Sequence, residues 1–317
     1  MTGVKNGFGD PREIPPRRGT SSSRRRRGLY AAVGGLAAVV IAAAALAGCA
    51  GGKGGPGPAP AQGAPYQPPS ATGTYPLPAG AVSMVEGVPV SALIASARAQ
   101  LGRGQVMLPE KLPPAAPQLS PGGRPEIMFI CAEYWSKCAA ERWALVMALS
   151  KFGTFTALEG TTTSATGTSP KTPTFSFYGA TYSSKYLTLV TDELETNTDV
   201  GEGEYPLLQP PTTQEMTMMN AWDRAPYTTI TLSLPFAYIG GKFLLTTAQY
   251  DASAISQMSF QAAASTMSSG TSPVSRHAEA AAGYLVADFC ALTHDQPARV
   301  CSQVPSSLTG ITAPPGK

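Results

Sequence analysis

Nineteen consecutive residues, Leu29 to Ala47, carry no charge and consist of Ala, Val, Leu, Ile and Gly with a single Tyr30. Wound as a helix they span about 28 Å, close to the hydrocarbon thickness of a bilayer. Arg24 to Arg27 stand just ahead of them. Four arginines hold their side of a span in the cytoplasm, which sends everything after residue 50 outside. The body of the chain is therefore expected on the extracytoplasmic face of the cell membrane. Residues 1–28 carry eight basic and two acidic residues, whereas the rest carries 15 basic and 18 acidic. The formal charge of +3 is thus a property of the leader. The mildly acidic body offers no basic stripe of the kind nucleic acid requires, and no nucleic-acid partner is expected.

The apolar run closes with Leu46-Ala47-Gly48-Cys49. This resembles the lipobox of bacterial lipoproteins, and the resemblance implies lipidation of Cys49 and cleavage ahead of it. The alternative is an uncleaved signal-anchor helix. The arginine cluster also looks somewhat like a twin-arginine export signal. Either main reading leaves the membrane as a partner, through the segment itself or through lipid on Cys49. The chain then divides into a basic cytoplasmic leader (1–28), a transmembrane or lipoprotein signal segment (29–49), a linker (50–119) and a body (120–317). Between residues 51 and 80, sixteen of thirty positions are Gly or Pro and Lys53 is the one charge, the composition of an extended spacer. A short helical pattern from Val90 to Leu101 lies inside the linker.

The order of elements in the body predicts an α/β fold. Glu126 to Cys131 reads as a buried strand that leads straight into a helix from Lys137 to Phe152, stopped by Gly153. Thr154 to Leu158 and Thr174 to Gly179 read as strands around a Ser/Thr-rich loop from Gly160 to Lys171. Tyr186 to Val190 either extends the sheet or ends a loop. Thr213 to Ala221 is expected to be helical. Thr228 to Ala237 and Lys242 to Thr246 flank Gly240-Gly241, a two-residue hairpin signal. Helical patterns at Ala252 to Met267 and Ser275 to Leu292 finish the chain, the second with one apolar face.

Phe129-Ile-Cys-Ala-Glu-Tyr-Trp-Ser-Lys-Cys138 resembles the active-site turn of thioredoxin-like proteins, whose usual form is aromatic-Ala-Glu-aromatic-Cys-x-x-Cys. Leu234-Pro235-Phe236-Ala-Tyr-Ile-Gly-Gly-Lys242 is similar to the segment holding that family's cis-proline, which lies opposite the redox cysteines and opens the terminal hairpin. A more specific resemblance covers residues 120 to 302. Ala139-Ala-Glu-Arg-Trp-Ala-Leu145, Phe152-Gly-Thr-Phe155, Thr174-Phe-Ser-Phe-Tyr-Gly179 and the closing Cys290 and Cys301 look like domain-of-unknown-function family 929, a group of membrane-anchored thioredoxin-like proteins. Membership implies a thioredoxin-like central mixed sheet flanked by helices, outside the membrane. It implies no substrate.

The departure from that pattern bears on function. Trp135 stands where relatives carry the first cysteine of Cys-x-x-Cys, so the attacking thiolate of dithiol exchange is missing. Phe129 stands where thioredoxins keep a buried carboxylate. With Cys49 lipidated, Cys131, Cys138, Cys290 and Cys301 form an even set in an oxidising compartment. Cys290 and Cys301 are spaced to staple the last helix to the tail. Cys131 and Cys138 either pair across the turn, if their Cα atoms lie within about 7 Å, or are free thiols in the core.

The remaining candidates have plain expectations. Glu133 beside the turn reads as a solvated carboxylate, and Glu141 and Arg142 as partners of neighbouring helical turns. Trp143 reads as a core anchor. His277 and His294, the only histidines, suit surface or capping roles, and no spacing suggests a metal site or a cofactor. Tyr134 and Trp135 are expected to project toward Pro235 and Phe236 as an aromatic binding patch for extracytoplasmic proteins. The expected function is a binding or chaperone-like module. The alternative is an atypical thiol-disulfide oxidoreductase using Cys138, with or without Cys131.

Overall fold

The computed structural model describes residues 72–315. The leader, the apolar run and Cys49 lie outside the described residues, and within those residues no helix is long and apolar enough to cross a membrane.

Two short helices open the described chain, α1 (Ala81–Glu86) and α2 (Val90–Gln100), followed by the edge strand β1 (Glu110–Lys111). Strand β2 (Glu126–Cys131) runs into α3 (Ser136–Leu149), as the sequence predicts. Four short strands follow, β3 (Gly153–Thr156), β4 (Glu159–Thr162), β5 (Pro173–Ser176) and β6 (Thr181–Ser184). Then come β7 (Thr188–Glu193), α4 (Thr213–Trp222), β8 (Phe236–Ile239) and β9 (Phe243–Leu245). Helices α5 (Phe260–Met267), α6 (Pro273–Leu292) and α7 (Ala298–Cys301) complete the order.

The central sheet is mixed, in the order β1-β9-β8-β2-β7. Strand β2 pairs parallel with β7, Glu126 opposite Thr188 and Cys131 opposite Glu193, and antiparallel with β8, Ile130 opposite Phe236. All six residues of β2 are buried, which is what a strand covered on both faces requires. The period-2 pleat sorts its side chains between two cores. Ile127, Phe129 and Cys131 face the larger core with α2, α3, α5 and α6. Met128 and Ile130 face the smaller one with Met218 and Met219 of α4 and with Phe236 and Tyr238 of β8. Capping boxes, Thr212 with Glu215 and Ser272 with Ser275, fix where α4 and α6 begin.

Several expectations are corrected. The boundary at residue 120 does not separate linker from body, because Ala81, Val85, Leu93, Ile94 and Ala97 are buried in the larger core. Helix α2 lies so close to α6 that a Cβ on Gly283 would come within 2.4 Å of the Leu93 carbonyl oxygen, and Tyr284 Oη donates to the Ala97 carbonyl at 3.0 Å. The strands expected around residues 154–158 and 174–179 stay out of the central sheet. They form two separate pairs, β3 with β6 and β4 with β5, and β4 enters the segment expected to be a loop. The segment near Tyr186 begins the sheet strand β7. Of the expected strand over 228–237 only the last residues pair, and the helix expected from Ala252 begins at Phe260 after a break at Gln257, whose φ is 62°. The Gly240-Gly241 turn forms as expected, with φ of 56° and 72°, the doubly left-handed turn that matches strand twist.

Candidate functional site

The turn from β2 into α3 brings both inner cysteines below the surface. Cys131 and Cys138 form a disulfide with Cα atoms 5.9 Å apart, so of the two readings left open by the sequence the paired one holds. Both residues are 0% exposed, and the Ala132 N–H points at Cys138 Sγ from 3.4 Å. Exchange requires a thiolate to reach a sulfur, and neither sulfur faces solvent. Cys290 and Cys301 form the second disulfide, Cα atoms 5.5 Å apart, joining the end of α6 to α7.

Beneath the first disulfide lies a cluster that the sequence reading assigned otherwise. Glu133 is fully buried rather than solvated. Arg142, one turn after Cys138 on the same helix, is also fully buried, and its partners are not neighbouring turns. Its Nε donates to Glu193 Oε1 at 2.8 Å, its Nη2 donates to Glu193 Oε2 and to the Ala132 carbonyl at 3.1 Å, and Glu133 Oε2 lies 4.0 Å from Nη2. Ser176 Oγ donates to Glu133 Oε1. Two carboxylates on one guanidinium leave a surplus negative charge in a dry interior. Burial, followed by the Glu193 carboxylate, raises the Glu133 pKa strongly, against the pull of Arg142, so a proton on Glu133 makes the cluster neutral. For Arg142 burial works against the charge, but Glu193 and Glu133 prevail and hold its pKa above the ordinary value. Glu141, also fully buried, accepts from the Gln249 N–H at 3.0 Å and its pKa is pushed up to about 7, mainly by burial. Trp143 is the core anchor expected of it, donating to the Pro173 carbonyl at 3.1 Å.

Above the disulfide the aromatic pair does reach the surface. Tyr134 is half-buried and stacks on Tyr205, with centroids 4.0 Å apart and planes 2° from parallel. Its pKa is pushed up to about 12 by burial and then by Glu195 and Tyr205. Trp135 is 40% exposed, sits edge-on to Tyr134, and donates through Nε1 to the Leu234 carbonyl at 3.1 Å. The Leu234–Pro235 peptide is cis. Pro235 is buried, and Phe236 is wholly buried in the smaller core. Neither belongs to an exposed patch as expected: Pro235 closes the end of the sheet, and the pleat turns Phe236 inward toward α4. The partner of Trp135 is instead the loop just before them.

That loop makes a groove of about 520 Å³ with the aromatic turn. Ile230 (64% exposed) and Leu232 (58% exposed) form one wall, Trp135 the other, and Met107 contributes from the preceding segment. The loop is anchored by Asp223, whose Oδ2 accepts from the Ser233 N–H at 2.8 Å, and by Thr228 and Ser233, whose hydroxyls lie 2.9 Å apart. Sequence reading missed this wall because residues 228–235 alternate like a strand. The available signal was Pro235, since a proline removes a ladder donor and argues against a central strand running through it.

Among the described residues no group of three or more His, Cys, Asp and Glu side chains is arranged to hold a metal ion. The groove exposes apolar side chains, and the Cys131–Cys138 pair beneath it is shielded from solvent. No curated protein and no solved structure matches the chain. Residues 115–284, more than half of the sequence, match the family described as domain of unknown function DUF929, and the chain belongs to that family.

Proposed function

We propose that the body is a thioredoxin-like domain, tethered outside the membrane by its N-terminal segment, that binds extended apolar stretches of extracytoplasmic proteins without exchanging disulfides. The sheet order β9-β8-β2-β7, the helix that follows β2 directly, and Pro235 opening the β8–β9 hairpin support the thioredoxin-like reading. The arginine-led run up to Cys49 supports the tether. The observation that carries the functional reading is Trp135. Its ring stands in the groove with Ile230 and Leu232 while both cysteines below it are sealed. Exposed aromatic and aliphatic side chains in one groove are what an apolar client segment would bury.

The oxidoreductase reading has one observation in its favour, the presence of the Cys131–Cys138 bond itself. Two assays on the full chain in neutral detergent separate the readings. The chain is expected to slow aggregation of an unfolded model protein, and Trp135→Ala to abolish most of that protection. It is expected not to accelerate reduction of a disulfide-linked substrate by dithiothreitol. Accelerated reduction that disappears in Cys138→Ser, with rapid alkylation of Cys138, overturns the binding reading in favour of the enzyme.

A further inference from the structure

At the other end of the sheet from Trp135, the β8–β9 hairpin, the loop after α6 and the segment before β2 enclose a second concavity of about 580 Å³. Four of its lining residues are Arg124, Lys185, Lys242 and His294, and none is acidic. The nearest acids in sequence, Glu126 and Asp295, do not line it. Gathering these side chains runs against the net negative charge of the chain beyond residue 28.

Ordinary structural duties account for part of this cluster only. Lys242 Nζ donates to the Ala291 carbonyl at 3.4 Å, a role any cation could take at a helix C-terminus. Arg124 Nη1 donates to the Ser184 carbonyl at 2.6 Å, which ties the segment before β2 to the end of β6. Neither duty neutralises a charge. Among the described residues no carboxylate lies within ion-pair distance of Arg124, Lys185 or Lys242, and the remaining guanidinium N–H groups of Arg124 have no acceptor there.

The walls are also fixed. A Cβ on Gly240 would meet Leu292 Cδ2 at 2.5 Å, and one on Gly241 would meet the Pro117 carbonyl oxygen at 2.5 Å. The hairpin is thus pressed against both neighbouring walls. His294 and Asp295 hold φ of 52° and 60°, a left-handed pair at two residue types that enter this region more readily than most. The Cys290–Cys301 bond closes that loop from beneath.

We propose that this concavity is a binding site for a phosphate-bearing anion. Arg124 offers the planar fork that matches two phosphate oxygens, and Lys185 and Lys242 supply point charges beside it. Such a group occurs both in soluble phosphate compounds and in phospholipid headgroups, and the geometry serves either source.

The test is calorimetric titration of the full chain in neutral detergent with inorganic pyrophosphate and, separately, with glycerophosphoglycerol, the free headgroup of an anionic phospholipid. At least one probe is expected to bind saturably. Arg124→Gln and Lys242→Gln are each expected to weaken it at least fivefold, and the exposed Lys185→Gln, which touches no structural contact, about threefold. Arg98→Gln, a cation on α2 away from the concavity, is expected to bind as the unaltered chain does. Tighter binding of pyrophosphate assigns the site to a soluble phosphate compound, and tighter binding of glycerophosphoglycerol assigns it to lipid. No saturable binding of either probe, or unchanged affinity in variants that keep the unaltered melting temperature, overturns the proposal.

Discussion

Arg142 shows most clearly what a single residue does here. A helix buried from Cys138 to Leu149 ordinarily carries apolar side chains all round, and this charge is tolerated because Glu193 takes two of its donors. Replacing it with Met would leave Glu193 buried without a counter-charge. Arg142→Met is expected to cost about 3–5 kcal/mol in denaturant unfolding. Glu133→Gln is expected to stay within about 1 kcal/mol at neutral pH, because an amide imitates the protonated carboxyl that the cluster already favours. Little of this could be seen from the spacing of residues. Glu133, Arg142 and Glu193 meet only through the fold, and a carboxylate in a turn looks solvated until its partners are located. The one local hint was the four-residue interval from Cys138 to Arg142, which sets both on one face of α3. Trp135 is the opposite case. Its exposure follows from its place at the end of a turn, before the first helical residue.

At the scale of elements, legibility tracked the strength of the periodic signal. Helices α3 and α6, strand β2 and the glycine hairpin each have a long apolar period or a specific turn chemistry, and they appear where expected. The short strands β3 to β6 are Ser/Thr-rich, and nothing local says whether such a strand joins the central sheet or pairs beside it. Helix α2 illustrates the same limit from the other side. Its pattern was visible, but its attachment to α6 depends on Gly283, almost two hundred residues later. Gly283→Ala is expected to force α2 away from α6 and to lower stability by about 1–3 kcal/mol, as overpacked contacts do. The α6–α7 staple yields a second prediction. Replacing Cys290 and Cys301 together with Ser is expected to cost about 3 kcal/mol, the loop-entropy value for a closure of this length, readable as a fall in melting temperature.

For the molecule as a whole, the buried acids set the response to pH. Glu133, Glu141, Asp192 and Asp288 all have pKa values raised chiefly by burial. A carboxyl whose folded pKa exceeds its unfolded one contributes stability in full below the unfolded value and loses it as pH rises through the folded value. For Glu141 that window runs from about 4.5 to about 7. The melting temperature is therefore expected to rise as pH is lowered from 8 to 5, and Glu141→Gln is expected to flatten the slope. A melting temperature that falls over that range would mean these carboxyls are ionised in the folded chain. The same whole-molecule view explains why a sealed disulfide and an open groove can share one turn: the pleat and α3 bury the sulfurs, while the aromatic residues between them are left outside. The proposal that Trp135 anchors a binding groove is tested most directly by titrating the full chain with an extended apolar peptide and following indole emission. A saturable blue shift is predicted, with affinity about thirtyfold weaker in Trp135→Ala, as befits a central aromatic anchor. Equal affinity in that variant, or no saturable binding by the unaltered chain, would contradict it.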